Sequence, residues 1–258
     1  MFKTLHALSA LTLLALAACG GAPAATSMPQ VPAAPAASMA GAEPRDATDM
    51  ALDAGRKPDA LMKLLALSAG MHVAEIGAGG GYTSELLARA VGPTGRVYGQ
   101  NSKMILEKFA EVPWSTRLRK PVMKNVVRVD REFDAPIPEG VEPLDLVLDN
   151  MFYHDTVWMG VDRNKMNASI FAALRPGGRY VIIDHSSKEG AGVADVKTLH
   201  RIEQSAVVAE VTKAGFVLAG TDDFLKNPKD PRDWSTSPMV AGVRRGESDR
   251  FTLVFRKP

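Results

Sequence analysis

Apolar and polar positions along the chain follow two alternating periods. Asp59 to Leu67 (DALMKLLAL) carries helical spacing, with Leu61, Leu64 and Leu65 on one face. Pro58 suits a first helical position, and Gly70 closes the segment. Met71 to Ile76 is a short apolar run that predicts a buried strand. Thr83 to Val91 is again helical, stopped by Gly92-Pro93. Arg96 to Gly99, Asn125 to Val129 and Leu144 to Leu148 predict three further strands, with a helix over Lys103 to Phe109 after the first of them. A helix near Arg163 to Leu174, a turn at Arg175-Pro176-Gly177-Gly178 and a strand over Arg179 to Asp184 follow. One long amphipathic helix is then expected from Val193 to Ala214, with closing strands at Phe216 to Gly220 and Phe251 to Phe255. Strands alternating with helices predict an α/β fold: a doubly wound, seven-stranded, mostly parallel sheet covered on both faces. In such sheets ligands sit beyond the carboxyl ends of the strands.

The first 44 residues break this pattern. Lys3 precedes an apolar run from Leu5 to Ala18, shorter than the roughly 20 residues of a bilayer span and suited to a signal-peptide core. It ends in Leu16-Ala17-Ala18-Cys19, which resembles a bacterial lipobox. Cys19 is the sole cysteine of the 258 residues, so no internal disulfide forms, and a role at the cleavage site explains it best. Residues 20 to 44 are nearly all Ala, Pro, Gly, Ser and Met and cannot bury enough apolar surface to offset their ordering entropy. The expected organisation is a lipoprotein signal peptide (1–18), a disordered tether (19–44) and one folded domain (45–258). It implies export, with a lipid anchor at Cys19 as the sole link to the membrane. Gly20, rather than Asp, favours the outer membrane, facing the periplasm.

Charge excludes one class of function. Lys+Arg number 31 against 29 Asp+Glu, a formal +2, which argues against polyanion binding. The densest basic stretch, Arg117 to Arg131, is interrupted by apolar residues and reads as a solvated face; it lacks the aromatic interleaving of a single-strand nucleic-acid binder. The five histidines (6, 72, 154, 185, 200) show no paired helical ligand spacing, so no metal is expected.

Glu75-Ile76-Gly77-Ala78-Gly79-Gly80-Gly81 lies between the first strand and the following helix. Glycine admits left-handed torsions and close approach of a ligand to the backbone. Tyr82 stands where a dinucleotide fingerprint starting at Gly77 requires glycine, which opposes a nicotinamide-dependent oxidoreductase, and no Gly-Lys-Ser/Thr phosphate loop occurs. The pattern acidic-x-G-x-G-x-G resembles the first motif of class I S-adenosylmethionine (SAM) methyltransferases. Leu174-Arg175-Pro176-Gly177-Gly178, Asp130 after the third strand and LDLVLDN at 144–150 resemble further motifs of that family. Asp53 to Pro58, Leu199 to Ile202 and the ending FTLVFRKP are similar to a subgroup of predicted exported bacterial methyltransferases.

The resemblance covers residues 50 to 258 and implies SAM as cofactor. It implies contacts from Glu75, from the bend (Gly77, Ala78, Gly79, Gly81, Tyr82), and from Gln100, Asn101, Asp130 and Asn150. Gln100 stands where the family usually carries a ribose-binding carboxylate; an amide can still serve, without charge assistance. The acceptor, a small molecule or an envelope component, is not written in the sequence, nor is the oligomeric state. Catalytic candidates fall after the fourth and fifth strands: His154 as a general base, with Tyr153 and His185 beside it. Each is as readily a packing residue. Asp155 reads equally as a turn or N-cap residue or as a catalytic acid, Arg56 and Lys57 as solvated or as ligands for an acidic acceptor, and His200 and Arg201, on the long helix, as reaching the pocket mouth or as salt-bridged and exposed. A non-catalytic methyltransferase-like ligand-binding lipoprotein is the alternative.

Overall fold

The computed structural model describes residues 44–258, and the predicted leader, Cys19 and tether lie outside the described residues except for Pro44. Two short helices, α1 (Ala47–Met50) and α2 (Asp53–Arg56), precede α3 (Pro58–Leu65), β1 (His72–Ile76), α4 (Tyr82–Val91) and β2 (Arg96–Asn101). Then come α5 (Lys103–Ile105), a π-helical turn (Leu106–Ala110), α6 (Glu111–Leu118), β3 (Val126–Asp130) and β4 (Leu144–Asn150). The second half holds α7 (Tyr153–Trp158), α8 (Arg163–Ala173), β5 (Leu174–His185), α9 (Val196–Leu199), α10 (Gln204–Lys213), β6 (Val217–Asp222), α11 (Pro238–Ala241) and β7 (Arg250–Arg256).

The strands form one sheet in the order β3-β2-β1-β4-β5-β7-β6. All pairings are parallel except those of β7, which runs against both β5 and β6. The central strands are buried on both faces: Val73, Ile76, Leu146, Leu148, Val181 and Ile182 are all fully covered. Each such side chain contributes roughly 1.5–3 kcal/mol of burial free energy.

Register brings the chemistry to one end. Asn101 pairs with Asp130, Ile76 with Asp149 and Asn150 with Ile183, so the carboxyl ends of β1 to β5 share an edge. Because β7 is reversed, its first residue, Arg250, stands opposite His185, the last residue of β5. The start of β7 therefore belongs to the ligand-facing edge.

Four elements depart from the sequence pattern. The helix expected to end at Phe109 passes through the π turn and continues as α6 to Leu118; Pro113, which has no N–H to donate, lies in the first turn of α6. α7 was not predicted, its six residues being too short for a periodic signal. The expected turn at 175–178 is the irregular start of β5, where the pairing with β4 shifts register between Leu144 and Leu146. The long helix expected over 193–214 is two helices. His200 adopts φ 50°, and Ile202 donates its N–H to the His185 carbonyl while its own carbonyl accepts from Ser187. The chain is thus stitched to the end of β5, and His200 is delivered to the same edge.

Candidate active site

The bend after β1 is left-handed at Gly77 (φ 65°), Gly79 (φ 55°) and Gly81 (φ 83°). The three glycines answer to different neighbours. A Cβ on Gly77 would meet the Phe152 ring at 2.5 Å, and one on Gly81 would meet Trp114 at 2.4 Å, so packing requires both glycines. A Cβ on Gly79 would meet nothing within 4 Å. Gly79 is where this bend offers open backbone.

Glu75 sits beneath the bend, 3% exposed. Its carboxylate accepts hydrogen bonds from the hydroxyls of Ser84 and Thr83 at the start of α4, and among the described residues it has no salt-bridge partner. Burial pushes its pKa up to about 7, against the lowering effect of those hydroxyls and of the Arg56 and Arg117 charges. Asn150, at the end of β4, donates to Thr83 Oγ1 at 3.2 Å and so braces the same corner. Tyr82 donates its hydroxyl to Asp53 at 2.7 Å, and the Arg56 guanidinium lies 4.3 Å above its ring.

Gln100, the residue expected to meet the ribose, has both ends of its amide bonded to the backbone. Gln100 is fully buried; its Oε1 accepts from the Gly77 N–H at 3.1 Å and its Nε2 donates to the Arg131 carbonyl at 2.6 Å. Asn101 is likewise buried and bridges Gly79, accepting from its N–H and donating to its carbonyl. Both amides hold the bend in shape. A carboxylate at position 100 could accept but not donate, so glutamine suits this support role. Asp130 is exposed and paired with Arg128 at 2.9 Å. Ala78 is buried against the core.

At the ends of β4 and β5, His154 and Asp184 are fully buried, and His154 Nδ1 lies 2.7 Å from Asp184 Oδ1. Asp184 Oδ2 also accepts the His154 backbone N–H, fixing the start of α7. His154 Nε2 has no hydrogen-bond partner; the Asp155 Oδ1 atom is 3.3 Å away. Burial pulls the imidazole pKa down, but Asp184 and Asp155 outweigh it and the net shift is upward. Asp155 Oδ1 also lies 3.3 Å from His200 Nδ1. His154, Asp155 and His200 thus bring three potential metal donors within 4.8 Å, a grouping that the scattered histidine spacing did not foretell. Trp158 Nε1 already donates to the same Asp155 oxygen at 2.6 Å.

Of the other two catalytic candidates, Tyr153 faces elsewhere, while the His185 ring lies edge-on to that of His154 with centroids 5.7 Å apart. Successive helical residues diverge by about 100°, so Tyr153 points away from His154. Its hydroxyl donates to Glu210 and accepts from Asn167, which makes it an anchor between α7, α8 and α10. His185 is fully buried with Nδ1 2.7 Å from Ser248 Oγ; burial, and then the nearby cationic groups Arg245, His154, Arg250 and Arg201, hold it well below the usual histidine range.

Residues 54–130 match the family model of protein-L-isoaspartate (D-aspartate) O-methyltransferase. Among solved structures, a SAM-dependent methyltransferase from Aquifex aeolicus aligns with 80% of this chain and 92% of its own, at 18% identity and TM-score 0.57. Geranyl diphosphate C-methyltransferase from Streptomyces coelicolor A3(2) aligns over 79% and 76%, at 15% identity and TM-score 0.55. The [4+2]-cyclase SpnF aligns over 79% and 80%, at 15% identity and TM-score 0.56. This chain has the class I methyltransferase fold. The cyclase shows that this fold alone does not dictate the reaction.

On this methyltransferase fold a cavity of about 500 Å³ opens between α1–α2, Met151 and residues 238–250. Arg56, Arg245 and Arg250 line it. Arg56 was weighed in the sequence as a solvated residue or as a ligand for an acidic acceptor; Arg245 and Arg250 were not singled out. The reversal of β7 brings Arg250 to this edge, opposite His185. Gly55 and Gly246 close one rim: a Cβ on Gly55 would lie 2.8 Å from Gly246 Cα.

Proposed function

We propose that this protein is a SAM-dependent methyltransferase acting on a small-molecule or envelope acceptor. One observation carries the reading: a buried carboxylate, Glu75, lies without a cationic salt partner at the foot of the bend that carries the open backbone of Gly79, on a class I methyltransferase sheet. A buried carboxylate of this kind favours a bound cation. Glu75 and the bend from Gly77 to Tyr82 would hold the cationic amino-acid end of SAM, with Asn150 fixing Thr83 beneath it. SAM supplies a methyl group already activated on a sulfonium.

The chain's own part is to align the acceptor and accept its proton. Asp184 fixes the His154 ring through Nδ1, leaving Nε2 unpartnered to accept a proton from an acceptor hydroxyl or amine. Asp155 then faces the imidazolium that results. Tyr153 and His185 support packing and take no proton in this scheme. Lipid anchoring through Cys19 at the periplasmic face of the outer membrane is part of the proposal and rests on the lipobox-like sequence.

Calorimetry on the full-length chain tests the cofactor: SAM and its demethylated product should give heat and NAD none. Absence of heat from both would sink the enzymatic reading. A non-catalytic ligand-binding module is the second reading, favoured by the commitment of Gln100 to the backbone and by Phe152 packed on Gly77. Binding of SAM without methyl transfer to any fraction of an envelope extract would favour it.

A further inference from the structure

The cavity between α2 and the start of β7 gathers three guanidinium groups, and among the described residues none of Arg56, Arg245 and Arg250 has a carboxylate within salt-bridge distance. Arg245 spends Nε on the Thr236 carbonyl, at 2.8 Å. Arg250 donates to the Gly246 and Ser248 carbonyls. Arg250 also donates Nη1 to the Met151 sulfur at 3.8 Å, so every nitrogen of its guanidinium has one protein partner, all of them uncharged. Arg56 is held by the Tyr82 ring. Burial lowers the pKa of all three, that of Arg250 to about 10, and Arg250 is lowered further by repulsion from Arg245 and Arg56. The carboxylates near them are engaged or more distant. Asp249 pairs with Arg232 at 2.7 Å, and Asp184 and Asp155 face His154. Glu247 lines the rim without a salt bridge. Three clustered cations that lack anions are a costly arrangement unless an anion is bound.

The rest of the wall is apolar. Leu52, Ala54, Met151, Pro238 and Val243 line the cavity. Val243, one of the lining residues, is 98% exposed, and Met239 and Val240, next in sequence to lining Pro238, are 86% and 73% exposed. The volume exceeds what an inorganic anion fills and lies within the roughly 300–1,000 Å³ of small-molecule pockets.

We propose that this cavity is the acceptor pocket: it takes a molecule with a doubly charged oxyanion head, held by Arg56, Arg245 and Arg250, and an apolar body laid against Val243 and its neighbours. The assignment to an acceptor rests on the methyltransferase reading. The anion site itself does not.

Titration of the full-length chain with inorganic phosphate and with octyl phosphate, with SAM titrated in parallel, tests it. Phosphate should bind, and octyl phosphate should bind at least about ten-fold tighter, since each buried methylene adds affinity. Arg245→Met and Arg250→Met should each weaken both ligands by about ten-fold or more, as loss of a charge-assisted contact does. Without ligand, Arg245→Met should melt no lower than the natural chain, because a like-charge repulsion has been removed, whereas Arg250→Met also gives up its bonds to the Gly246 and Ser248 carbonyls and should melt somewhat lower. Val243→Ser, at an exposed position, should weaken octyl phosphate alone. No binding of either phosphate, or binding unchanged by the arginine substitutions, overturns the proposal. Mutual exclusion of phosphate and SAM also overturns it, since the arginines would then serve the cofactor's own carboxylate. Absence of heat from SAM with phosphate binding as expected would refute the acceptor assignment and the methyltransferase reading together, leaving only an anion site.

Discussion

The imidazole of His154 is held by Asp184 across 2.7 Å, with neither side chain exposed. The pair decides the charge state of the ring. Asp184 and Asp155 favour the imidazolium; burial and the Arg245 charge oppose it. The folded pKa lies above the ordinary 6.5, so the stabilisation from this group is fully present below about pH 6.5 and is lost as pH rises through the folded value. Asp184→Asn should lower the His154 pKa, because burial then faces a weaker opponent. Titration of the ring proton resonances by NMR measures this directly, and an unchanged midpoint would refute it. Methyl transfer, once an acceptor is in hand, should fall about 10²–10⁴-fold in His154→Ala. Its natural pH profile should rise through the folded pKa.

Glu75 tilts stability the same way with pH, but by disfavouring its charged form. Its pKa of about 7 lies above the ordinary 4.5, so the unfolded chain gives up this proton first, and stability falls as pH rises from 4.5 to 7. Glu75→Gln removes that slope and should stabilise the protein by up to about 3 kcal/mol above pH 7. The same variant should lose SAM binding. A cationic ligand favours the ionised carboxylate, so SAM binding near pH 6 should release a proton. Calorimetry in two buffers of different ionisation enthalpy reads that release; identical heats after allowing for the buffer would contradict it.

The sheet was legible in the sequence because the strands carry apolar runs that alternate with helical periods, several of them bounded by glycine or proline. LDLVL and RYVIID announce themselves without tertiary information. The glycine bend and Glu75 were legible for the same reason, their spacing being local. The bracing by Gln100 was not: position alone suggested a ribose contact and gave no sign that both ends of the amide bond to Gly77 and Arg131. Nor was the break at His200. The amphipathic period continues through residues 200–202, and only the backbone hydrogen bonds to His185 and Ser187 interrupt the helix. Arg117, read as part of a solvated basic face, is tied to two buried carboxylates. Long-range pairing leaves no trace in a period.

Gly79 separates a ligand's requirement from packing. Gly79→Ala places a methyl group in open space at φ 55°, at a cost of about 1–2 kcal/mol for the left-handed backbone. The variant should remain folded, with a modestly lower melting temperature, and bind SAM at least about ten-fold more weakly, as loss of roughly 1.4 kcal/mol does. Gly77→Ala should cost far more stability, since its Cβ would strike the Phe152 ring, and Phe152→Ala should restore part of the loss. Undiminished SAM affinity in Gly79→Ala would show that no ligand approaches this backbone.

Arg117 links the N-terminal helices to the bend. It donates to Asp49 at 2.5 Å, to Glu85 at 2.7 Å and to the Gly80 carbonyl at 2.7 Å. Burial would raise the Glu85 pKa, but Arg89, Lys120 and Arg117 together hold it at about 2. This depressed carboxyl stabilises the fold above pH 4.5, and the contribution is lost as pH falls through about 2. Arg117→Met leaves Asp49 and Glu85 buried with fewer partners and should cost about 3 kcal/mol in urea denaturation at pH 7. The gap between variant and natural chain should narrow as pH falls from 4.5 toward 2, because Glu85 protonates earlier in the variant. SAM affinity should weaken as well, since the Gly80 carbonyl loses its anchor next to Gly79. A pH-independent gap would mean that packing of the arginine stem, rather than its charge, holds the bend in place.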